Sequence, residues 1–312
     1  MINFLEKYLN RKLYLEKKQI KLVKNDTEIF KNKYEKYIND IQAGLKNKKE
    51  ITFLHSGHIG DLINTLPVVK EISKTHTCKL FIQLDLPVPV YYSDHPAGQF
   101  FLNKKIYNML YPLLRKQTYI ETIDIFDNQD IDINFDLIRE LPINLTFDNT
   151  RYGFHIAGVQ VDLSEKFLDV DDHAEMKNRI SILRSTRYQN NYISYKFLEK
   201  FENPIFIGTF DEYKALKKNL KNLDYYECKD FLDMAMIIKN SKVFIGNSSL
   251  GIDIAEGLKS PRLLEASPYF PARQVHGSKG YDFYFQAHFE KFFDFFYNQK
   301  NNLMIKKITD KK

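Results

Sequence analysis

Cysteine is nearly absent from this 312-residue chain: Cys78 and Cys228 stand alone, far apart and outside any metal-ligand spacing. That excludes a zinc module and a disulfide framework, and it fits a reduced, cytoplasmic setting. Long apolar runs are missing too. No stretch approaches the ~20 residues of a membrane span, and the opening "MINFLEKYLN" has no apolar core of signal-peptide length. The chain is therefore expected to be neither integral to a membrane nor exported by a recognisable signal. Internal repeats, low-complexity tracts, a Walker loop and a GxGxxG fingerprint are all lacking. RNP-like aromatics are lacking as well, and no basic domain supports a nucleic-acid partner.

What is present has the composition of a globular protein, 44% hydrophobic and 28% charged. The length allows two domains, each with its own core, and hence a ligand cleft between them. The net charge of +6 is unevenly placed, since residues 1–50 hold 13 Lys or Arg against 7 Asp or Glu while the rest hold 33 against 33. A basic segment attracts an anionic membrane surface. An AT-rich coding sequence, which also favours Lys, Asn, Ile and Tyr, gives the same bias.

Helical spacing of Leu5, Tyr8, Leu9 and Leu13, of Ile20 and Val23, and of Phe30, Tyr34, Tyr37, Ile38 and Ile41 makes residues 1–49 an appended helical hairpin. Its break is expected at Asn25–Asp26, with Asp26 or Thr27 as a cap and Gly44 as the stop. From 51 onward, "ITFLHS", "KLFIQL", "ETIDIF" and "INLTF" read as strands alternating with helices, around an aperiodic proline-rich loop "LDLPVPVYYSDHPAGQ". A second alternating series starts near 178 and runs through "NRISILRS", "PIFIGT", "YYECK", "KVFIGNSS" and "PRLLEAS". The fold class expected is α/β, with two Rossmann-like domains of mostly parallel sheet. They are placed at 50–172 and 173–275, and 276–312 is an aromatic helix packing back across both.

Two constellations carry chemistry. In "HSGHIGD", Gly57 and Gly60 allow a tight strand-to-helix turn, His55, Ser56 and His58 line it, and Asp61 opens the helix. Asp61 is placed either to cap that helix or to act in a site. In "VFIGNSSLGIDIAEGL" a strand runs into a hydroxyl-rich turn and a helix, so that amides near Ser248 and Ser249 form an anion site; capping by Asn247 or Ser248 is the structural alternative. Arg184 and Arg187 follow one strand of the same domain, and Gly208 and Glu212 follow the next. Cations and amides for phosphates, with a carboxylate for ribose hydroxyls, are what a nucleoside diphosphate needs.

These motifs resemble the heptosyltransferase-like glycosyltransferases, family 9-like, of the GT-B fold. The "GD" turn and following "TLP" stand here as Gly60, Asp61, Thr65, Leu66 and Pro67; the "GNDSGxxHLA" pattern is matched in course by Gly246, Asn247, Ser249 and Ala255, with Pro261 beyond. The likeness spans roughly 51–75 and 178–265. It implies that Asp61 is the general base and that the Asn247–Gly251 turn binds the donor diphosphate; together with the reading of the residues, this puts His55, Ser56, His58 and Gly60 on the acceptor side and Arg184, Arg187, Gly208, Glu212, Asn247, Ser248, Ser249, Gly251 and Asp253 on the donor side. The pattern departs at Ser248, Leu250 and Asp253, where Asp, Gly and His are usual, and at Asn190, where a lysine is usual.

The function expected is metal-independent inverting transfer of a sugar from a nucleotide-diphosphate donor to a glycan or lipid-linked acceptor, without a cofactor, in the cytoplasm, with peripheral membrane contact through the N-terminal helices. The alternatives are a non-catalytic nucleotide-sugar or glycan-binding protein of the same shape and a nucleotide-sugar epimerase. Asp94, His95, Arg273 and His276, in two further loops, are candidates for the pocket walls.

Overall fold

The computed structural model describes residues 6–89, 98–140, 148–202 and 204–298. Asp94, His95 and the strand expected at 143–147 lie outside the described residues. Three consecutive helices open the chain: α1 Glu6–Leu9, α2 Arg11–Ile29 and, after a π-helical turn at Phe30–Tyr34, α3 Glu35–Asn47. The expected break at Asn25–Asp26 is absent. With no proline or glycine there, two residues of modest helix propensity cost only tenths of a kcal/mol each, and the Asp26 carbonyl accepts from the Phe30 amide to carry the helix on. It does not fold back as a hairpin. Gly44 is no stop either, since the helix runs to Asn47 with the Gly44 carbonyl capped by the Lys48 amide.

The first sheet contains β1 Glu50–His55, β2 Thr77–Ile82, β3 Thr122–Ile125 and β4 Ile133–Asn134, with α4 Ile59–Ile72, α5 Lys104–Arg115 and α6 Tyr152–Ala157 around it. Its order is β3-β2-β1-β4, all parallel. Continuous apolar runs make β1 and β2 central, for both faces are covered. The end of β1, where the sheet delivers its chain into α4, is the place at which parallel sheets bind ligands. Anchoring of α3 uses Tyr34, whose hydroxyl donates to the Glu140 carbonyl at 2.8 Å, and Gln42, whose amide donates to the Ala157 carbonyl at 2.6 Å.

The second sheet holds β5 Ile180–Leu183, β6 Ile205–Phe206, β7 Asp224–Tyr225, β8 Val243–Asn247, β9 Arg262–Glu265 and β10 Gly280–Phe283. The order is β10-β9-β8-β5-β6-β7, again parallel throughout. Helices α7 Phe210–Lys217, α8 Phe231–Asn240, α9 Leu250–Leu258 and α10 Gln286–Tyr297 complete it. The described part of the aromatic helix does not span the two domains. Phe289, Phe293 and Phe296 of α10 join Ile180, Ile182, Val243 and Phe283 in a core confined to the far face of this sheet.

The expectation of one core per domain is also corrected. A single apolar cluster runs from Phe53, Leu62, Leu66 and Leu110 of the first domain into Ile237, Phe244, Ile254 and Ala255 of the second. It is built where α4 packs on α9 and α5 on α8. Those helices carry apolar residues on two sides because each covers its own sheet and meets a helix of the other domain. Because the seam is a shared core, the two halves should unfold together. Leu66→Ala, at a side chain with no exposure, is expected to cost about 2–5 kcal/mol and to lower the midpoint of one transition followed by calorimetry. Two separable transitions would contradict the shared core.

Candidate functional site

The end of β1 and the ends of β5, β8 and β9 meet across the seam. His55 is buried, and its Nδ1 accepts the Gly57 amide at 2.9 Å. Burial drives its pKa down to about 4, so the ring is neutral. Ser56 is likewise internal. Its hydroxyl donates to Asp136 at 2.5 Å, its amide donates to the other Asp136 oxygen at 2.9 Å, and Arg139 ties both together. Neither residue offers a free face to an acceptor: they brace the turn. Arg139 itself, over the Phe101 ring at 4.6 Å, was not singled out by the sequence, because nothing local to "DLIRE" marks it. His58 packs edge-on against Phe101 at 4.8 Å. Burial holds its pKa below 6.5; Asp61 pulls the other way, and the Arg187 guanidinium of the second domain adds to the lowering.

Asp61 sits in the first turn of α4, whose cap position is His58 with no side-chain cap. Its carboxylate, 43% exposed, turns toward the second domain, where Arg273 Nη2 lies 3.4 Å away. Burial raises its pKa, but Arg273, then His58, His55 and Arg139, more than offset this, holding it below the ordinary carboxylate value. Arg273 also reaches Asp253 of α9, Nε to Oδ1 at 2.6 Å. Asp253 accepts in turn from Asn64 of α4 at 3.0 Å. Gly60 makes this approach possible, since a Cβ there would run into the Asp253 carboxylate. Asp253 is thus a bridge between domains. For it, burial outweighs Arg273 and Asn64, and its pKa stands at about 6.

On the second domain the structure sorts the expected donor set. Arg184 forms a fork with Glu265, Nε to Oε2 at 2.7 Å and Nη2 to Oε1 at 2.8 Å. Tyr195 and the Asn190 amide donate to the same carboxylate. Arg184 is therefore committed inside the domain, and Asn190 serves that network. Glu212 closes a capping box with Thr209 on α7, so its carboxylate bonds its own helix start, and a Cβ at Gly208 would crowd it. Asn247 is fully buried and binds Ser185 and Arg187 backbone atoms, which makes it a strut for the 184–190 loop. A Cβ on Gly251 would meet Phe244 at 2.7 Å, so this glycine lets α9 sit on the sheet rather than facing the cleft.

Arg187, Ser248 and Ser249 are left at the seam. The Arg187 Nε is buried without a hydrogen-bond partner among the described residues, and its guanidinium lies over Tyr188, a residue held at φ 57° and stacked on Phe270 at 4.7 Å. A non-glycine residue at positive φ is a strained backbone maintained by its surroundings. Ser249 occupies the cap position of α9 but its side chain caps nothing, leaving the dipole end and first-turn amides available to an anion. The 266–279 loop is pinned between the domains: Asn149 donates to the Ala272 carbonyl, and His276 pairs with Asp148 at 2.8 Å. Among the described residues, no three His, Cys, Asp or Glu side chains gather as metal ligands.

No protein-family model matches this sequence, and no curated protein matches it as a relative. Solved structures do resemble the fold. A glycosyl transferase family 9 protein from Veillonella parvula aligns with TM-score 0.51 at 11% identity, over 75% of this chain and 86% of that one. The dodecameric iron-containing heptosyltransferase TibC of enterotoxigenic E. coli, solved with ADP-D-beta-D-heptose, aligns with TM-score 0.50 at 12% identity, over 75% of this chain and 63% of that one. The chain has the GT-B fold: two Rossmann-like domains facing each other across a seam.

Two buried groups give opposite pH signatures. The unfolded state takes up a proton on His55 between its ordinary 6.5 and about 4 while the native state does not, so this group's contribution to stability falls as pH falls. For Asp253 the native state is the one that holds the proton between 3.8 and about 6, so stability falls as pH rises through that window. His55→Asn is expected to soften, and Asp253→Asn to steepen, the acid-side loss of unfolding free energy measured by denaturant titration, each slope changing by at most about 1.4 kcal/mol per pH unit. Parallel curves for wild type and both variants would refute these assignments.

Proposed function

We propose that the chain is an inverting glycosyltransferase acting on a nucleotide-diphosphate sugar and a glycan or lipid-linked acceptor. The observation that carries this reading is the Asp61 carboxylate, held in its ionised form and facing the Arg273 guanidinium of the opposite domain at 3.4 Å. In the reaction the acceptor hydroxyl attacks the anomeric carbon. A new C–O bond forms on the face opposite the leaving group, the C–O bond to the diphosphate breaks, and the proton passes to Asp61. A carboxylate held below its ordinary pKa suffices, because with an activated donor the hydroxyl loses its proton late. The negative charge that develops on the leaving diphosphate is met by Arg187 and by the amides at the start of α9. These charges make the proposed transfer independent of metal. Arg273 orients Asp61 and keeps it ionised, and is a positioning residue.

The likeness to family 9 and heptosyltransferase structures supports transfer chemistry on this scaffold; the altered turn around Ser248 and Asp253 leaves the sugar and the nucleotide open. A thermal-shift screen over nucleotide sugars identifies the donor, since a ligand of the folded state at about 100 times its Kd adds about 2.7 kcal/mol of stability. With that donor, release of nucleoside diphosphate is expected to survive EDTA and to drop by about 10²-fold or more in Asp61→Asn, while the variant still unfolds in a cooperative transition and still binds the donor. Equal turnover by Asp61→Asn would refute the base assignment.

A second measurement isolates Arg273. Removing a cation beside a carboxylate raises its pKa, so in Arg273→Ala the acid limb of kcat/KM should move to higher pH, whereas a purely structural loss would scale the whole profile down.

A further inference from the structure

The helix at the start of the chain is the part of the molecule least explained by the fold. None of the residues of α2 is buried. Leu15, Ile20, Leu22 and Val23 are each more than half exposed, and Leu13, Ile29 and Phe30 more than a third. Seven large apolar side chains held in water on one helix are costly to leave uncovered. The same segment is the source of the charge. Residues 7–33 hold nine Lys or Arg against three Asp or Glu, a surplus of six that equals the net charge of the whole chain.

The two features are ordered on the helix. At about 100° per residue, Ile29, Leu22 and Leu15 lie along one line, Phe30 and Val23 follow, and Ile20 and Leu13 close an arc of roughly 200°. Lys24 borders one edge of that arc and Lys18 the other, with Lys21 on the face opposite. Lysines at the edges of an apolar arc can lay their stems along it and raise their ammonium groups into a headgroup layer. Lys12, Glu16, Gln19, Asp26 and Thr27 interrupt the arc, which prevents deep burial and leaves charge attraction as the main source of affinity. A second copy of the chain is a poorer occupant. The 3–4 spacing of Leu13, Ile20, Val23 and Phe30 is flanked on one side by Lys17, Lys24 and Lys31 and on the other by Lys12, Gln19, Asp26 and Lys33, so antiparallel pairing would set the three lysines of the first row against their own copies.

We propose that α2, with the adjoining π-helical turn, docks the protein on an anionic lipid surface, lying in the plane of the headgroups. Tyr34 and Ile41, buried in the first domain, continue the same helix and so tie the domain rigidly to its anchor. The inference does not depend on the transfer reaction, and vesicle binding tests it without any substrate.

Full-length protein is expected to sediment with phosphatidylcholine vesicles containing phosphatidylglycerol, not with phosphatidylcholine alone, and to be released as salt is raised. The triple change Lys18→Glu, Lys21→Glu, Lys24→Glu should weaken binding by at least about tenfold, and the pair Leu15→Ser, Leu22→Ser should weaken it as well. Both sets lie on exposed positions, so unchanged thermal unfolding certifies the fold. Binding indifferent to lipid charge, no binding, or full binding by the triple variant each overturns the proposal. So does a lipid-free dimer, seen by light scattering, that Ile20→Ser with Val23→Ser dissociates, for then a second copy covers the helix.

Discussion

The distance between α4 and α9 governs this molecule. Gly60 brings the first turn of α4 against the Asp253 carboxylate, with no room for a side chain between them. Once the helices are that close, Asn64 and Asp253 can bond directly, Arg273 can span Asp61 and Asp253, and apolar residues behind them merge into one core. A looser seam would leave Asp253 as a buried charge with neither partner, which costs several kcal/mol. The polar cluster therefore specifies the contact that the apolar cluster stabilises.

Two buried ionic nodes hold the loops that border the seam. Glu265 gathers Arg184, Tyr195 and Asn190 at the ends of β5 and β9. Glu256 gathers Arg262, which has no exposure, through its Nε at 2.5 Å, together with Lys259 and the His276 amide. A charge taken out of water is tolerable when every lone pair finds a donor, and truncating one member strands the others. The first node holds the 184–190 segment in which Tyr188 has its strained φ, and the second holds, at His276, the far end of the loop that delivers Arg273. The residues around Asp61 are thus oriented by side chains engaged in buried ion pairs.

Much of the architecture was legible. Apolar strands at 51–55, 180–183 and 243–247 running into glycine- or serine-containing turns are signals local to each segment, and all three lie where the pattern put them. Strands β4 and β10 were not legible: Ile133–Asn134 is two residues long, and Gly280–Phe283 runs straight into an aromatic segment that reads as helix. The supposed break at Asn25–Asp26 failed because capping residues mark a helix end only where the chain turns away, and no tertiary contact makes it turn there. Arg273 stood out as a polar residue in a loop, but its reach to Asp61 spans 212 positions and left no local trace.

By itself the sequence determined most of the succession of strands, turns and helices, the parallel class of both sheets, and the position of Asp61 at a helix start after a strand. Each depends on propensity and periodicity over a dozen residues or fewer. Only the tertiary structure decided which charges are spent and which are available. Arg184 and Arg187 are identical in type and three positions apart, yet Glu265, 81 residues away, takes the first and leaves the second at the seam. Charge pairing depends on the distance between remote segments, and that distance is set by how the helices pack.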